Sequence, residues 1–370
     1  MYFRQISSRI DEKLSPKKAI IVSGPRQVGK TTLIKSILKD KTHLSLNGDD
    51  MSARAVLATA EKEKLKTVIG KHKYVFIDEA QQIDNIGISA KIILDELQDV
   101  NLILSGSSSF DLNNAIQEPL TGRKWEYELY PISWKEYEEH HGYFEAHQKL
   151  EENLIFGLYP DVLNNSGDEV EVLSNLVSSY LYKDILALAN LRKPEVLDKL
   201  VLALALQIGN EVDYRELSTL IGIDKNTVIK YIDVLEKAFV IFKLPAYSKN
   251  IRNEIKKSKK IYFFDNGLRN MIIGDFRPIT MRQDKGALWE NFLIAERVKQ
   301  RSYQKRIARH YFWRTTQQQE IDFIEEKSTT LSAFEFKWNN KKARIPRTFS
   351  RAYNPEEFVV DKDSFRDFVM

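Results

Sequence analysis

With 370 residues, 43% of them hydrophobic and 29% charged, the chain has the make-up of a soluble globular protein and is too long for one ordinary core, so two or three domains are expected. It has no cysteine, which excludes disulfides and thiolate zinc sites and fits a reducing cytoplasm; no apolar run approaches the roughly 18 residues of a membrane span, and the opening MYFRQISSRIDEKL lacks the apolar block of a signal peptide. The net charge of +4 is unevenly divided, with 27 Lys and Arg against 16 Asp and Glu in residues 241–370 and 29 against 36 before them, so a basic third with a candidate polyanionic partner follows an acidic portion.

In chain order, the first strong signal is residues 20–37, IIVSGPRQVGKTTLIKSI. An apolar strand, a loop bracketed by Gly24 and Gly29, the pair Lys30-Thr31 and a helix-like stretch fit G-x-x-x-x-G-K-[ST] with both required flanks. Such a loop, here Gly24, Pro25, Arg26, Gln27, Val28, Gly29, Lys30, Thr31 and Thr32, turns backbone N–H groups and a helix N-terminus toward phosphate oxygens. Lys30 is the residue to reach the β- and γ-phosphates of ATP, and the Thr31 hydroxyl the one to ligate Mg. Further short apolar strands are predicted at residues 43–46, 74–77, 102–104 and 126–129, separated by helical patterns, which gives a mostly parallel α/β sheet covered on both faces. The strand YVFI ends at Asp78-Glu79, where Asp78 is the expected second Mg-holding residue and Glu79 the expected general base. LILSGSSS offers Ser105, Ser107 or Ser108 to the γ-phosphate or the attacking water; Arg26, or Arg123 acting as finger or sensor, is placed to stabilise developing charge.

Residues 132–205 read as helical, and residues 213–243 as helix-turn-helix followed by a wing-like strand, with Lys225, Asn226, Thr227 and Lys230 on the open face of the second helix. That spacing serves DNA contact or protein packing equally well. From Lys249 the chain is basic (Lys256, Lys257, Lys259, Lys260) and changes to an α+β pattern. The expected division is a P-loop domain at 1–135, a helical extension at 136–207, a winged-helix-like segment at 208–248 and a last domain at 249–370. The six histidines show no zinc-ligand spacing.

Taken together, GPRQVGKTTL, VFIDEAQ, LSGSSS, LTGR and ELYPISWKEY resemble the prokaryotic AAA-type ATPases with a C-terminal domain of unknown function, a domain related to the PD-(D/E)xK nucleases. The resemblance spans nearly the whole chain. It implies an additional-strand P-loop fold in which the Asp78 strand lies beside the strand ending at Ser105. It also implies a winged-helix-like segment between the two domains, and phosphate, metal and catalytic roles for Lys30, Thr31, Asp78 and Glu79. In the last domain a turn near residues 327–330 would bring Asp322 of EIDFI to Glu335 of FEFKW, with Lys337 on the same strand face and Glu290 supplied by a helix. Asp322 and Glu335 are a candidate Mg or Mn pair, Lys337 a group to position water, and Glu320 shares the face of Asp322. The expected activity is ATP hydrolysis controlling a basic nuclease-like domain, with DNA or RNA as candidate partner. The alternative is a slow ATP-dependent switch that binds a protein partner and carries an inert nuclease-like fold. The oligomeric state is left open, and no membrane association is expected.

Overall fold

The computed structural model describes residues 1–97, 99–107, 116, 119–179, 194–248, 259–305, 307–339 and 344–370. Two compact units result, residues 1–131 with 237–239, and residues 132–236 with 240–370.

In the first unit the described strands β1 (Ala19–Ser23), β2 (His43–Asn47), β3 (Tyr74–Asp78), β4 (Asn101–Gly106) and β5 (Lys124–Glu128) form one sheet in the order β2-β3-β4-β1-β5, with every pairing parallel. β4 is therefore inserted between β1 and β3, the order implied by the additional-strand expectation. β1 is buried along its whole length because it has a neighbour on each edge and layers on each face, which is why AIIVS is an unbroken apolar run apart from its last residue. Ile21, Ile77, Leu102 and Leu104 pack with Ile86, Ala90 and Ile93 of the helix Ile86–Glu96 in one core. The C-terminal ends of β1, β3 and β4 lie side by side, the edge where ligands bind in open parallel sheets.

The second unit joins sequence segments that composition alone divides into three. The helix Trp134–His141 starts with a capping box between Ser133 and Glu136, and its Trp134 N–H donates to the buried carboxylate of Glu296, 2.6 Å away on the helix Lys285–Gln304. Asp265 accepts from Leu158 N at 2.7 Å and from Leu268 N at 3.1 Å. A Cβ on Gly157 would lie 2.0 Å from that carboxylate, so only glycine admits it. Buried polar bonds of this span tie the helical stretch after residue 132 to the region after 259.

The two helices of the 213–243 segment run over Tyr214–Ile221 and Lys225–Lys237, with a left-handed Gly222 closing the first and Asp224 accepting from Asn226 N and Thr227 N at the start of the second. Lys225, Asn226 and Lys230 are exposed on it, while Thr227 is half-buried. The strand that follows, β7 (Ile241–Pro245), pairs antiparallel with β8 (Lys259–Phe263), which also pairs with β6 (Glu211–Val212). A second described sheet has the order β12-β11-β10-β9, built from β9 (Arg309–Arg314), β10 (Glu320–Lys327), β11 (Thr330–Phe336) and β12 (Glu356–Val360). The predicted helical residues 180–193 and the basic run through Lys249, Lys256 and Lys257 lie outside the described residues.

Candidate functional site

The loop after β1 is shaped by backbone constraints before any ligand is considered. A Cβ on Gly24 would lie 2.0 Å from the Leu129 carbonyl oxygen, so the chain passes there only as glycine. Gly29 has φ +90°, a left-handed N-cap that starts the helix Lys30–Ile37. Arg4 braces the loop from behind: its buried guanidinium donates to the Val28 carbonyl at 2.7 Å and to the Tyr130 carbonyl at 2.6 Å. No local pattern in the sequence marks Arg4, because both partners are carbonyl groups far along the chain. Within the loop Arg26 and Gly29 are half-buried, Val28 is buried, and Gln27 (φ +59°) and Thr32 are exposed.

Lys30 is buried, and its Nζ donates to the carbonyls of Gly24 at 2.9 Å and Pro25 at 2.8 Å. The ammonium is thereby held over the mouth of the loop. Thr31 Oγ1 donates to Asp78 Oδ2 at 2.5 Å, and the other carboxylate oxygen accepts from Ser105 Oγ and from Glu79 N, the latter at 3.1 Å. Lys30, Thr31, Asp78 and Ser105 are thus brought together on adjacent strand ends. A hydroxyl and a carboxylate in contact are hard oxygen donors of the type that hold Mg, so Thr31 and Asp78 fit that ion. Glu79 has φ +48°, and its carboxylate accepts from the Gln81 side-chain amide, which also donates to Ser107 Oγ at 3.0 Å. Gln81 was not among the sequence candidates; the DEAQ string carries it, but nothing local says that its amide reaches across to the strand end at Ser107. Gly48 completes the edge, since a Cβ there would lie 2.2 Å from the Glu79 carbonyl oxygen. Ser108 lies outside the described residues.

Arg123, the candidate finger or sensor, lies away from this edge of its own sheet. It immediately precedes β5, with its carbonyl accepting from Ala19 N at 2.9 Å, at the start of β1. The phosphate loop follows the other end of β1, five residues or about 16 Å away at ~3.3 Å per residue. The Arg123 guanidinium is bound to Asp95 instead. It does not enter the site that its own chain builds.

In the second unit the register of β10 with β11, Phe323 opposite Phe334, puts Asp322 across from Glu335. Asp322 Oδ2 accepts from Phe336 N at 2.8 Å, and Lys337 Nζ donates to Glu335 Oε2 at 3.0 Å. Burial, with the charge of Asp322 adding to it, pushes Glu335 up to about 7 against the attraction of Lys337. Glu290, the acid expected from a helix, is engaged by a lysine and a tyrosine. Its Oε1 receives Lys260 Nζ at 3.1 Å and the Tyr262 hydroxyl at 2.5 Å. Lys260 is almost fully buried and also meets Glu320 Oε1 at 2.5 Å. Burial works against its charge, but Glu290, Glu320 and Asp322 outweigh burial and hold its pKa above the usual lysine value. Burial is likewise the largest cause that lifts Glu290 to about 7, with Asp322 adding and Lys260 opposing. Among the described residues no group of three Asp, Glu or His side chains converges on a metal-sized point. An internal ammonium bridges Glu290 to Glu320 instead.

Comparison with known proteins matches the chain in three stretches. Residues 16–138 match a family model described as AAA domain. Residues 147–278 and 285–367 match two models each described as a domain of unknown function, DUF8612 and DUF4143. An uncharacterized protein of Mycobacterium tuberculosis is 26% identical over 338 residues, covering 90% of this chain and 73% of the relative. An uncharacterized protein of Methanocaldococcus jannaschii is 23% identical over 369 residues, covering 92% of this chain and 80% of the relative. Among solved structures, the Walker-type ATPase PABY2304 of Pyrococcus abyssi superposes with a TM-score of 0.51 at 16% identity, over 74% of this chain and 96% of that one, a likeness of fold. The matches support a P-loop ATPase and ATP binding.

Proposed function

We propose that the chain is a Mg-dependent ATPase whose nucleotide cycle governs what its second unit binds. The observation that carries this reading is the contact of Thr31 Oγ1 with Asp78 at 2.5 Å beside the buried Lys30, a phosphate-binding lysine and an oxygen-donor pair on neighbouring strand ends. On this reading Lys30 exchanges the Gly24 and Pro25 carbonyls for β- and γ-phosphate oxygens. Thr31 and Asp78 hold Mg, which when bound neutralises phosphate charge. Glu79 takes a proton from the attacking water, and Ser107 contacts the γ-phosphate. The cysteine-free composition fits a cytoplasmic setting.

For the second unit, the Lys260–Glu290–Glu320 bridge favours a nuclease-like fold that binds a partner without cutting it. The basic composition of residues 241–370 supports nucleic acid as that partner, with a protein as the alternative. Nucleolytic use of Asp322, Glu335 and Lys337 is the second reading, favoured by the pairing of Asp322 with Glu335 across β10 and β11.

The test is ATP turnover with and without DNA or RNA across a salt series. Lys30→Ala is expected to abolish ATP binding or turnover, and Glu79→Gln to keep ATP bound without cleaving it. Normal phosphate release by both variants refutes the site. Stimulation by nucleic acid that fades as salt rises supports the partner; none at any salt points to protein. Mn-dependent cleavage that disappears in Glu335→Ala revives the nucleolytic reading.

A further inference from the structure

The side-chain amide of Gln81 has two hydrogens, and both are committed: one to the Glu79 carboxylate and one to Ser107 Oγ at 3.0 Å. These partners stand on different strand ends, one following β3 and the other following β4. Glu79 is held at φ +48°, a backbone conformation that a non-glycine residue keeps only when its surroundings enforce it. The side-chain Oε1 of Gln81 is buried and has no hydrogen-bond partner among the described residues.

We propose that Gln81 is the positioning residue of the hydrolysis step, the link through which contact at Ser107 sets the orientation of Glu79. The inference rests on the ATPase reading above. When the Ser107 hydroxyl engages the γ-phosphate, the shared amide moves with it. Glu79 is thereby aligned on the water only in the presence of the triphosphate. Without the amide, Glu79 keeps its place in the chain but loses the tether that aims it.

The experiment compares the full-length wild type, Gln81→Leu, which keeps the volume and removes the polar atoms, and Gln81→Ala as a second variant should the first fold poorly. Equilibrium binding of a fluorescent ATP analogue and steady-state phosphate release are measured for each. Gln81→Leu is expected to lower kcat at least about tenfold and to leave nucleotide affinity within twofold. An unchanged kcat, a gain in rate, or a loss of affinity comparable to the loss of rate overturns the proposal. If the wild type neither binds nor hydrolyses ATP, the ATPase reading falls and takes this one with it. If the wild type turns over and Gln81→Leu matches it, only the link through Gln81 falls.

Discussion

Replacing Lys260 by methionine tests the account of the second unit most directly. The ammonium is nearly inaccessible and bridges Glu290 and Glu320 at 3.1 and 2.5 Å. Methionine fills a similar volume and leaves those carboxylates facing one another and Asp322 with no cation between them. Removing one partner of a buried charge pair costs about 3–5 kcal/mol. The loss depends on pH, with a sign fixed by Glu290. Its folded-state pKa is raised from 4.5 to about 7, so the folded chain binds that proton more tightly than the unfolded chain. Its contribution to stability is full below 4.5 and is lost as pH rises through about 7; at ~1.36 kcal/mol per tenfold change in proton affinity the swing is about 3 kcal/mol. Without Lys260 the carboxyl is harder still to ionise, and protonating it relieves the repulsion. The variant is therefore expected to lose about 3–5 kcal/mol at pH 8 and clearly less at pH 5.5. Urea unfolding followed by tryptophan fluorescence suits the measurement, because Trp134, Trp289, Trp313 and Trp338 all lie in the second unit. A loss under about 1 kcal/mol at pH 8, or one that grows on acidification, refutes the claim that Lys260 neutralises this cluster.

Other outcomes follow from the first unit. Arg123→Ala is expected to leave ATP turnover within twofold and to cost less than about 1 kcal/mol, since it gives up only a half-exposed ion pair with Asp95; a hundredfold loss of rate would restore Arg123 as a finger supplied to a neighbouring copy. Gly24→Ala is expected to abolish binding of a fluorescent ATP analogue, because the added Cβ would meet the Leu129 carbonyl at 2.0 Å and force the loop off its course; unchanged affinity would show that the loop tolerates the shift. Arg4→Ala is expected to lower the melting temperature and weaken nucleotide binding together, by freeing the Val28 and Tyr130 carbonyls that it holds; a change in one without the other separates loop bracing from general stability.

What the sequence made legible follows from the distance over which each feature is specified. A phosphate cradle needs a strand, a glycine-bracketed turn, a lysine and a helix start within a dozen residues, so residues 20–37 disclose it unaided. The pairing of Asp322 with Glu335 is nearly as local, because a short turn between β10 and β11 fixes the register. Arg4, Gln81 and Lys260 escape a local reading for a common reason: each reaches at least one partner 24 or more positions away, and each stands among ordinary polar residues in the sequence. Arg123 failed in the opposite way. The string LTGR sits close in sequence to the strand ends that bear the site, but a parallel sheet sends every connection back to its far edge, and Arg123 falls there.

The two carboxylate clusters are neutralised by different chemistry, and that difference separates their capacities. Around Asp78 the side-chain donors are hydroxyls, Thr31 and Ser105, which satisfy the oxygens without cancelling their charge. A divalent cation gains the full attraction of that carboxylate and displaces only neutral hydrogen bonds. Around Glu290, Glu320 and Glu335 the side-chain donors are mainly ammonium groups, Lys260 and Lys337, which cancel the charge as they satisfy it. A cation entering there must first expel a buried ammonium that has nowhere else in the cluster to go, or protons already held tightly by Glu290 and Glu335. The same residue types, acids with a lysine near by, are thus partnered mainly by hydroxyls in one unit and by ammonium groups in the other.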